Sequence, residues 1–194
     1  MTHCIFLAAG ASRRFGADKL LTNYNGKPLF LRGLQTLASV CAARGDADLT
    51  VVTNTPVIAQ EARALGAAAV PSPQSLLGQS YSIRAGLDAL GPLPPQDFLL
   101  FAVADQPHLR AETVVRFLEL ATPGTWTATA SCGDRVGNPG LFCAALVPEL
   151  YALQGDRGGR AVLNLYPQRL LRVECLPEEL RDMDRPADME KKST

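Results

Sequence analysis

The 194-residue chain sets 19 Lys plus Arg against 19 Asp plus Glu, for a formal net charge of zero and an isoelectric point near 6.7. That balance argues against a polyanion partner such as nucleic acid or an anionic membrane surface, which is usually held through a basic excess. With 47% hydrophobic and 20% charged residues, the composition is that of one globular domain, long enough to bury roughly 70% of its unfolded surface without a disulfide or structural metal. Five widely spaced cysteines, Cys4, Cys41, Cys132, Cys143 and Cys175, form no Cys-x-x-Cys and have no cluster of histidines beside them. They read as reduced thiols of a cytoplasmic protein. Residues 1–7 lack a charged segment followed by a long apolar one, and no window approaches 18 apolar residues. Neither a signal peptide nor a membrane span is expected.

The continuous apolar run 3–8, closed by Gly10, predicts a buried strand. Leu31, Leu34, Leu37, Ala38 and Cys41 recur at three and four, predicting a helix over 28–44 with Pro28 in its first turn and Gly45 as its stop. Strand and helix then alternate through 49–53, 57–65, 68–70, 80–90, 98–103 and 111–120. This alternation predicts βαβ units around a mostly parallel sheet. After Pro123 the pattern changes to strands at 126–131 and 141–143, helices at 144–153 and 159–165, and a strand at 170–175. No internal repeat or linker divides the chain, so one domain is expected. Ligands of such sheets bind beyond the carboxyl ends of the strands, which directs attention to the loops after Ala8 and Val103.

The first of these loops runs Leu7-Ala8-Ala9-Gly10-Ala11-Ser12-Arg13-Arg14-Phe15-Gly16-Ala17-Asp18-Lys19-Leu20. It is not a Walker A loop, because Lys19 is followed by Leu, and not a dinucleotide fingerprint, because Ser12 stands where a second glycine is needed. Its small residues nevertheless let backbone N–H groups approach a ligand, and Ser12, Arg13, Arg14 and Lys19 add donors and positive charge, as a triphosphate requires. Of the four lysines, Lys191 and Lys192 lie near the end of the chain, leaving Lys19 and Lys27 among fifteen arginines. A compact ammonium retained beside this loop suits a transferring phosphate. A strand-to-helix loop with solvated charges is the alternative.

The apolar run 98–104 delivers Asp105 at a strand's carboxyl end, followed by Gln106-Pro107. A carboxylate there could bridge Mg²⁺ to phosphate, or it could cap a helix. A second group of acids, Glu174, Glu178, Glu179, Asp182, Asp184, Asp188 and Glu190, is opposed only by Arg181 and Arg185. Asp182 or Asp184 could supply another metal ligand, while Asp188 is better placed to cap a short helix opened by Pro186. His108 could touch a ligand near Asp105 but, lacking a histidine partner, reads as structural or solvated, and Trp126 reads as core.

The string from Leu7 to Leu21 with Gly26-Lys27-Pro28-Leu29 resembles the opening of the MobA-like nucleotidyltransferases, in the branch that includes the molybdenum cofactor cytidylyltransferases. Further matches follow in order: Gly78-Gln79-Ser80-Tyr81-Ser82-Ile83-Arg84-Ala85-Gly86-Leu87, Ala104-Asp105-Gln106-Pro107, Gly137-Asn138-Pro139-Gly140-Leu141-Phe142, Gly155-Asp156-Arg157-Gly158-Gly159-Arg160, and Asp182-Met183-Asp184-Arg185-Pro186-Ala187-Asp188. The resemblance spans residues 5 to 188. It implies a three-layer α/β/α domain over 1–194 of the nucleotide-diphospho-sugar transferase type, Rossmann-like in its N-terminal half. The nucleotide half would cover about 1–107 and the acceptor half about 108–190.

The resemblance also implies roles. Leu7, Ala8, Ala9 and Gly10 would hold base and sugar, with Ser12 beside them, Arg14 and Lys19 would hold the triphosphate, and Gly78, Ser80 and Ser82 would flank the base. Asp105, with Asp182 or Asp184, would bind Mg²⁺, and Gly137, Asn138, Pro139, Asp156 and Arg160 would face an acceptor pterin. Ala9 stands where the guanylyl branch carries glycine, which points to CTP. The implied reaction transfers CMP from CTP to the terminal phosphate of molybdopterin, with Arg14, Lys19 and Asp105 as the catalytic set. A molybdenum hydroxylase or its accessory protein would meet the product in transient contact. The alternatives are a guanylyltransferase, a transferase to a sugar 1-phosphate or alcohol phosphate, and a non-catalytic carrier of molybdenum cofactor.

Overall fold

A computed structural model of the chain describes residues 1–10, 19–184 and 188. Its centre is β1 (Thr2–Leu7), every residue of which is buried, as expected of a continuous apolar run inside a parallel sheet. On one side β1 pairs in parallel with β4 (Ala47–Val52), which pairs with β5 (Ala68–Val70). On the other it pairs in parallel with β6 (Phe98–Val103), in a register that sets Leu7 opposite Val103. Beyond β6 lie β8 (Arg135–Cys143), β7 (Thr127–Cys132) and β9 (Leu170–Glu174), giving the order β5-β4-β1-β6-β8-β7-β9. Only β8 runs against its neighbours β6 and β7. A separate small hairpin pairs β2 (Asn23–Tyr24) with β3 (Lys27–Pro28).

Successive residues of a strand face opposite ways, and β1 shows which helix covers which side. A Cβ at Gly33 of α1 (Leu29–Ala42) would lie 3.2 Å from the Phe6 ring, and one at Gly86 of α3 (Gln79–Leu90) would lie 2.8 Å from Ile5. The two helices therefore clamp β1 from opposite faces. Helices α2 (Pro56–Ala64) and α4 (Ala111–Leu120) pack with α1, and α5 (Val147–Tyr151) packs with α3. The short α6 (Arg160–Leu163) lies against β7. This is the expected three-layer domain, and its core, including Phe6, Phe30, Phe117 and Phe142, lies between the sheet and its helices.

Local differences from the sequence expectation have local causes. Pro28 precedes α1 as its N-cap residue at φ −54°, ψ 140°, rather than sitting in the first turn. The expected helix 144–153 divides into a 3₁₀ turn, Ala144–Leu146, and α5, where Pro148 is tolerated only in a first turn because it has no N–H to donate. The expected strand 141–143 is the end of a nine-residue strand. The β2–β3 hairpin turns on Asn25-Gly26, both with positive φ, a pair favoured at two-residue turns. No helix among the described residues is long and apolar enough to cross a membrane.

Candidate active site

The carboxyl ends of β1 and β6 lie side by side, joined past the strands by Ala104 N–H donating to Leu7 O at 3.1 Å. Leu7, Ala8 and Ala9 are buried at this edge and Gly10 emerges into solvent. Ser12, Arg13 and Arg14 lie outside the described residues. The chain re-enters at a 3₁₀ turn, Lys19–Leu21, and Lys19 brings its ammonium back to the β6 edge.

Lys19 Nζ donates to Asp105 Oδ2 at 2.9 Å and to Asp184 Oδ1 at 3.1 Å. Burial alone would depress the ammonium pKa, but the Asp105 carboxylate and then Asp184 outweigh it and hold the pKa above its ordinary value. The helix-capping alternative for Asp105 does not hold, since the N-cap residue of α4 is Arg110. Asp105 instead anchors the C-terminal acidic segment through its backbone, its carbonyl accepting the Met183 N–H at 3.0 Å.

Asp182 and Asp184 flank the buried Met183 and meet different partners. Asp184 reaches Lys19, whereas Asp182 Oδ1 accepts Gln106 Nε2 at 2.8 Å and lines a cleft. Asp182 is exposed as a residue, but desolvation of its carboxyl in the cleft wall, followed by the nearby charge of Asp105, holds its pKa above the usual carboxylate range. Asp188 Oδ2 accepts the Asp184 backbone N–H at 3.2 Å and pairs with Arg181 at 3.9 Å. The helix that Asp188 is expected to cap would open at 185–187, which lie outside the described residues.

The two carboxylates of Asp105 and Asp184 stand on either side of one small cation, the Lys19 ammonium. Hard oxygen donors so arranged also fit Mg²⁺, which commonly takes one or two carboxylates and completes its shell with water and substrate phosphate. Among the described residues no three His, Cys, Asp or Glu side chains converge into a fuller metal cage. A divalent ion held here would therefore depend on its substrate for several ligands.

Beside this cluster opens a cleft of about 720 Å³. Gly137, Asn138, Asp156 and Arg160 line it from the C-terminal half, and Leu7, Gln106 and Asp182 from the β1–β6 edge. Asn138 owes its place to a bulge. The β7–β8 register jumps from Thr129 opposite Gly140 to Ala130 opposite Gly137, leaving Asn138 and Pro139 unpaired on β8. Thr129 Oγ1 donates to Gly137 O at 2.8 Å and pins the start of the bulge. An extra segment of this kind re-aims a side chain out of the sheet.

Ser80 and Ser82 are buried, and Ser80 Oγ accepts Arg84 at 3.5 Å. From their turn it is Gln79 and Ile83 that reach the cleft, together with Arg135 from β8. Sequence reasoning did not single out these residues. Gln79 was visible only as the residue between Gly78 and Ser80, and Gln106 only as the residue after Asp105. His108 shares a 2.9 Å hydrogen bond with the buried Tyr24 hydroxyl, and burial and then Arg32 lower its pKa. It joins the β2–β3 hairpin to the Asp105 loop, in keeping with the structural reading.

Known proteins resemble this chain in sequence and in fold. A family model described as the MobA-like NTP transferase domain matches residues 4–173. Nicotine blue oxidoreductase from Paenarthrobacter nicotinovorans is 29% identical over 189 residues, covering 90% of this chain and 87% of that protein. Among solved structures, a nucleotidyl transferase from Methanothermobacter superposes with a TM-score of 0.78 at 23% identity, covering 97% of this chain and 94% of the other. The Rv0371c protein of Mycobacterium tuberculosis in complex with manganese gives 0.66 at 24%, covering 96% and 95%. A CMP:2-keto-3-deoxy-manno-octonic acid synthetase complexed with CTP gives 0.71 at 16%, covering 97% and 95%. At these identities the structural likenesses establish a shared fold.

Proposed function

From the premise that this chain belongs to the MobA-like NTP transferase family, we propose that it transfers CMP from CTP to the terminal phosphate of molybdopterin. The observation that carries the reading is Lys19 held between Asp105 and Asp184 where β1 and β6 end beside the cleft. A phosphate oxygen of the acceptor attacks the α-phosphorus of CTP. The bond from that phosphorus to the oxygen bridging to the β-phosphate breaks, and pyrophosphate leaves with the negative charge. The chemistry asks for positioning and charge neutralisation, with no covalent enzyme intermediate.

In this proposal Leu7, Ala8, Ala9 and Gly10 hold the nucleoside, with Ser12 and the Gly78, Ser80 and Ser82 turn beside it. Arg14 and Lys19 take the triphosphate, and the charged ammonium of Lys19 stabilises the departing pyrophosphate. Asp105 and Asp184 would hold Mg²⁺, with Asp182 as the alternative second acid. A bound Mg²⁺ neutralises phosphate charge. Gly137, Asn138, Pro139, Asp156 and Arg160 serve the acceptor, and the recipient of the product is a molybdenum hydroxylase or its accessory protein. The methyl group of Ala9 narrows the base site relative to glycine and supports CTP over GTP. Neighbours of the same fold bound to CTP and to manganese support a metal-assisted nucleotide reaction.

Pyrophosphate release tests the reading. With Mg²⁺ and molybdopterin, CTP should give turnover at least ~10-fold faster than GTP, a margin equal to about 1.4 kcal/mol. Faster turnover with a sugar 1-phosphate would reassign the acceptor. Binding of the pterin without pyrophosphate release would indicate a carrier. Redox turnover of nicotine blue without pyrophosphate release would move the chain towards the activity that names its 29%-identical relative.

A further inference from the structure

The first turn of α3 and the loop over residues 155–159 touch backbone to backbone. Gly78 holds φ +130°, and a Cβ there would overlap the Gly155 carbonyl group and lie 2.6 Å from Asp156 N. Ser80 N–H donates to Gly155 O at 3.1 Å. Arg84, whose guanidinium lies 4.3 Å from the Tyr81 ring centre, donates to the carbonyls of Tyr151 and Leu153 at 3.2 and 2.6 Å. The turn is thereby set firmly against the segment that carries Asp156 and Arg160 to the cleft.

Gln79 is the polar side chain that this contact delivers to the cleft wall. A Cβ at Gly158 would overlap Gln79 Oε1, so the carboxamide lies directly against that loop. Among the described residues that carboxamide makes no hydrogen bond. A carboxamide presents a donor and an acceptor side by side, which matches a heterocyclic edge carrying the complementary pair. A phosphate offers acceptors only and would leave half of the amide unpaired. Arg160, on the same wall, supplies the charge that a phosphate needs.

Resting on the reading that this cleft takes the acceptor, we propose that Gln79 recognises a lactam or amino-pyrimidine edge of the acceptor and so selects heterocyclic acceptors over sugar phosphates. Gly78 and Ser80 keep the nucleoside side of this turn, while the Gln79 carboxamide, set against Gly158 of the acceptor loop, contacts the acceptor and carries none of the chemistry.

The test is equilibrium binding of molybdopterin, in the presence of Mg²⁺ and a non-hydrolysable CTP analogue, to the wild type, Gln79→Ala and Gln79→Glu. Pterin Kd should rise roughly 10-fold in both variants, as expected for one or two lost hydrogen bonds. The glutamate keeps an acceptor but loses the donor. Affinity for the CTP analogue and for a sugar 1-phosphate should stay within about twofold, and the melting temperature should not move. Unchanged pterin affinity in Gln79→Ala, wild-type affinity in Gln79→Glu, a matching loss of CTP-analogue affinity, or no pterin binding by the wild type would each overturn the proposal. If pterin binds in a Gln79-dependent way but the wild type releases no pyrophosphate, the transfer reaction fails and the role of Gln79 stands.

Discussion

Both ends of the central sheet hold a basic side chain between two carboxylates, and they differ in what lies beside it. At the amino end, His3 Nδ1 meets Asp48 Oδ2 at 2.8 Å and Nε2 meets Asp97 Oδ2 at 3.3 Å, while the chain's own amino terminus donates to Asp97 Oδ1 at 3.0 Å. Both ring nitrogens are used, and His3 is 9% exposed with no place among the residues that line the cleft. At the carboxyl end Lys19 is equally buried at 9%, and one carboxylate of each pair is about half-exposed, Asp48 and Asp184, but here Asp182 and Gln106 carry the surface on into the cleft. A basic side chain between two carboxylates is shared, with the amino terminus as a further cation at the amino end. Access is what separates a structural ion cluster from one fitted for phosphate chemistry.

The largest effect that would sharpen this contrast is on turnover. Lys19→Ala should lower kcat by about 10²–10³-fold, the scale for removing one donor to developing charge. Its stability cost should be only about 1 kcal/mol, because Asp184 is half-exposed and water screens the carboxylates left behind. Steady-state kinetics beside thermal melts decide it. Normal turnover with a large drop in melting temperature would make this end structural too.

The amino end should show the smaller and opposite pattern. The hydrogen bond to Asp48 raises the His3 pKa above 6.5, against burial, with Asp97 adding to the rise. The stabilisation from this imidazolium is therefore complete below pH 6.5 and is lost as pH climbs through the raised folded value. Asp97 behaves in the other sense. Burial opposes its ionisation, but the amino terminus and His3 prevail and lower its pKa below 3.8, so its contribution is lost only in strong acid. His3→Gln should flatten the fall in melting temperature as pH rises above 6.5 and change kcat by less than about twofold. A pH profile of melting for both proteins checks this, and a kcat loss rivalling that of Lys19→Ala would break the comparison.

What could be read from the sequence follows the range of the forces involved. Strands β1 and β6 and helices α1 and α4 were visible because burial imposes a continuous apolar run or a 3.6-residue period on them. Most of β8 was not. Gly137, Asn138, Pro139 and Gly140 interrupt any alternation, and only the bulge against β7 explains how they remain in a strand. The site divides in the same way. Lys19 stood out as a retained lysine and Asp105 as an acid at a strand end, whereas their 2.9 Å pairing across 86 residues is a product of the fold. The contact of Gln106 with Asp182 spans 76 residues and left no local trace.

The measurement that bears most directly on the account is calorimetric titration of CTP, with and without Mg²⁺, into the wild type and Asp105→Ala, alongside their far-UV spectra. The account predicts that Mg²⁺ tightens CTP binding in the wild type, and that Asp105→Ala loses this dependence by at least about tenfold while its spectrum is unchanged. Equal Mg²⁺-dependent binding in the two proteins, or collapse of the variant's fold, would contradict it.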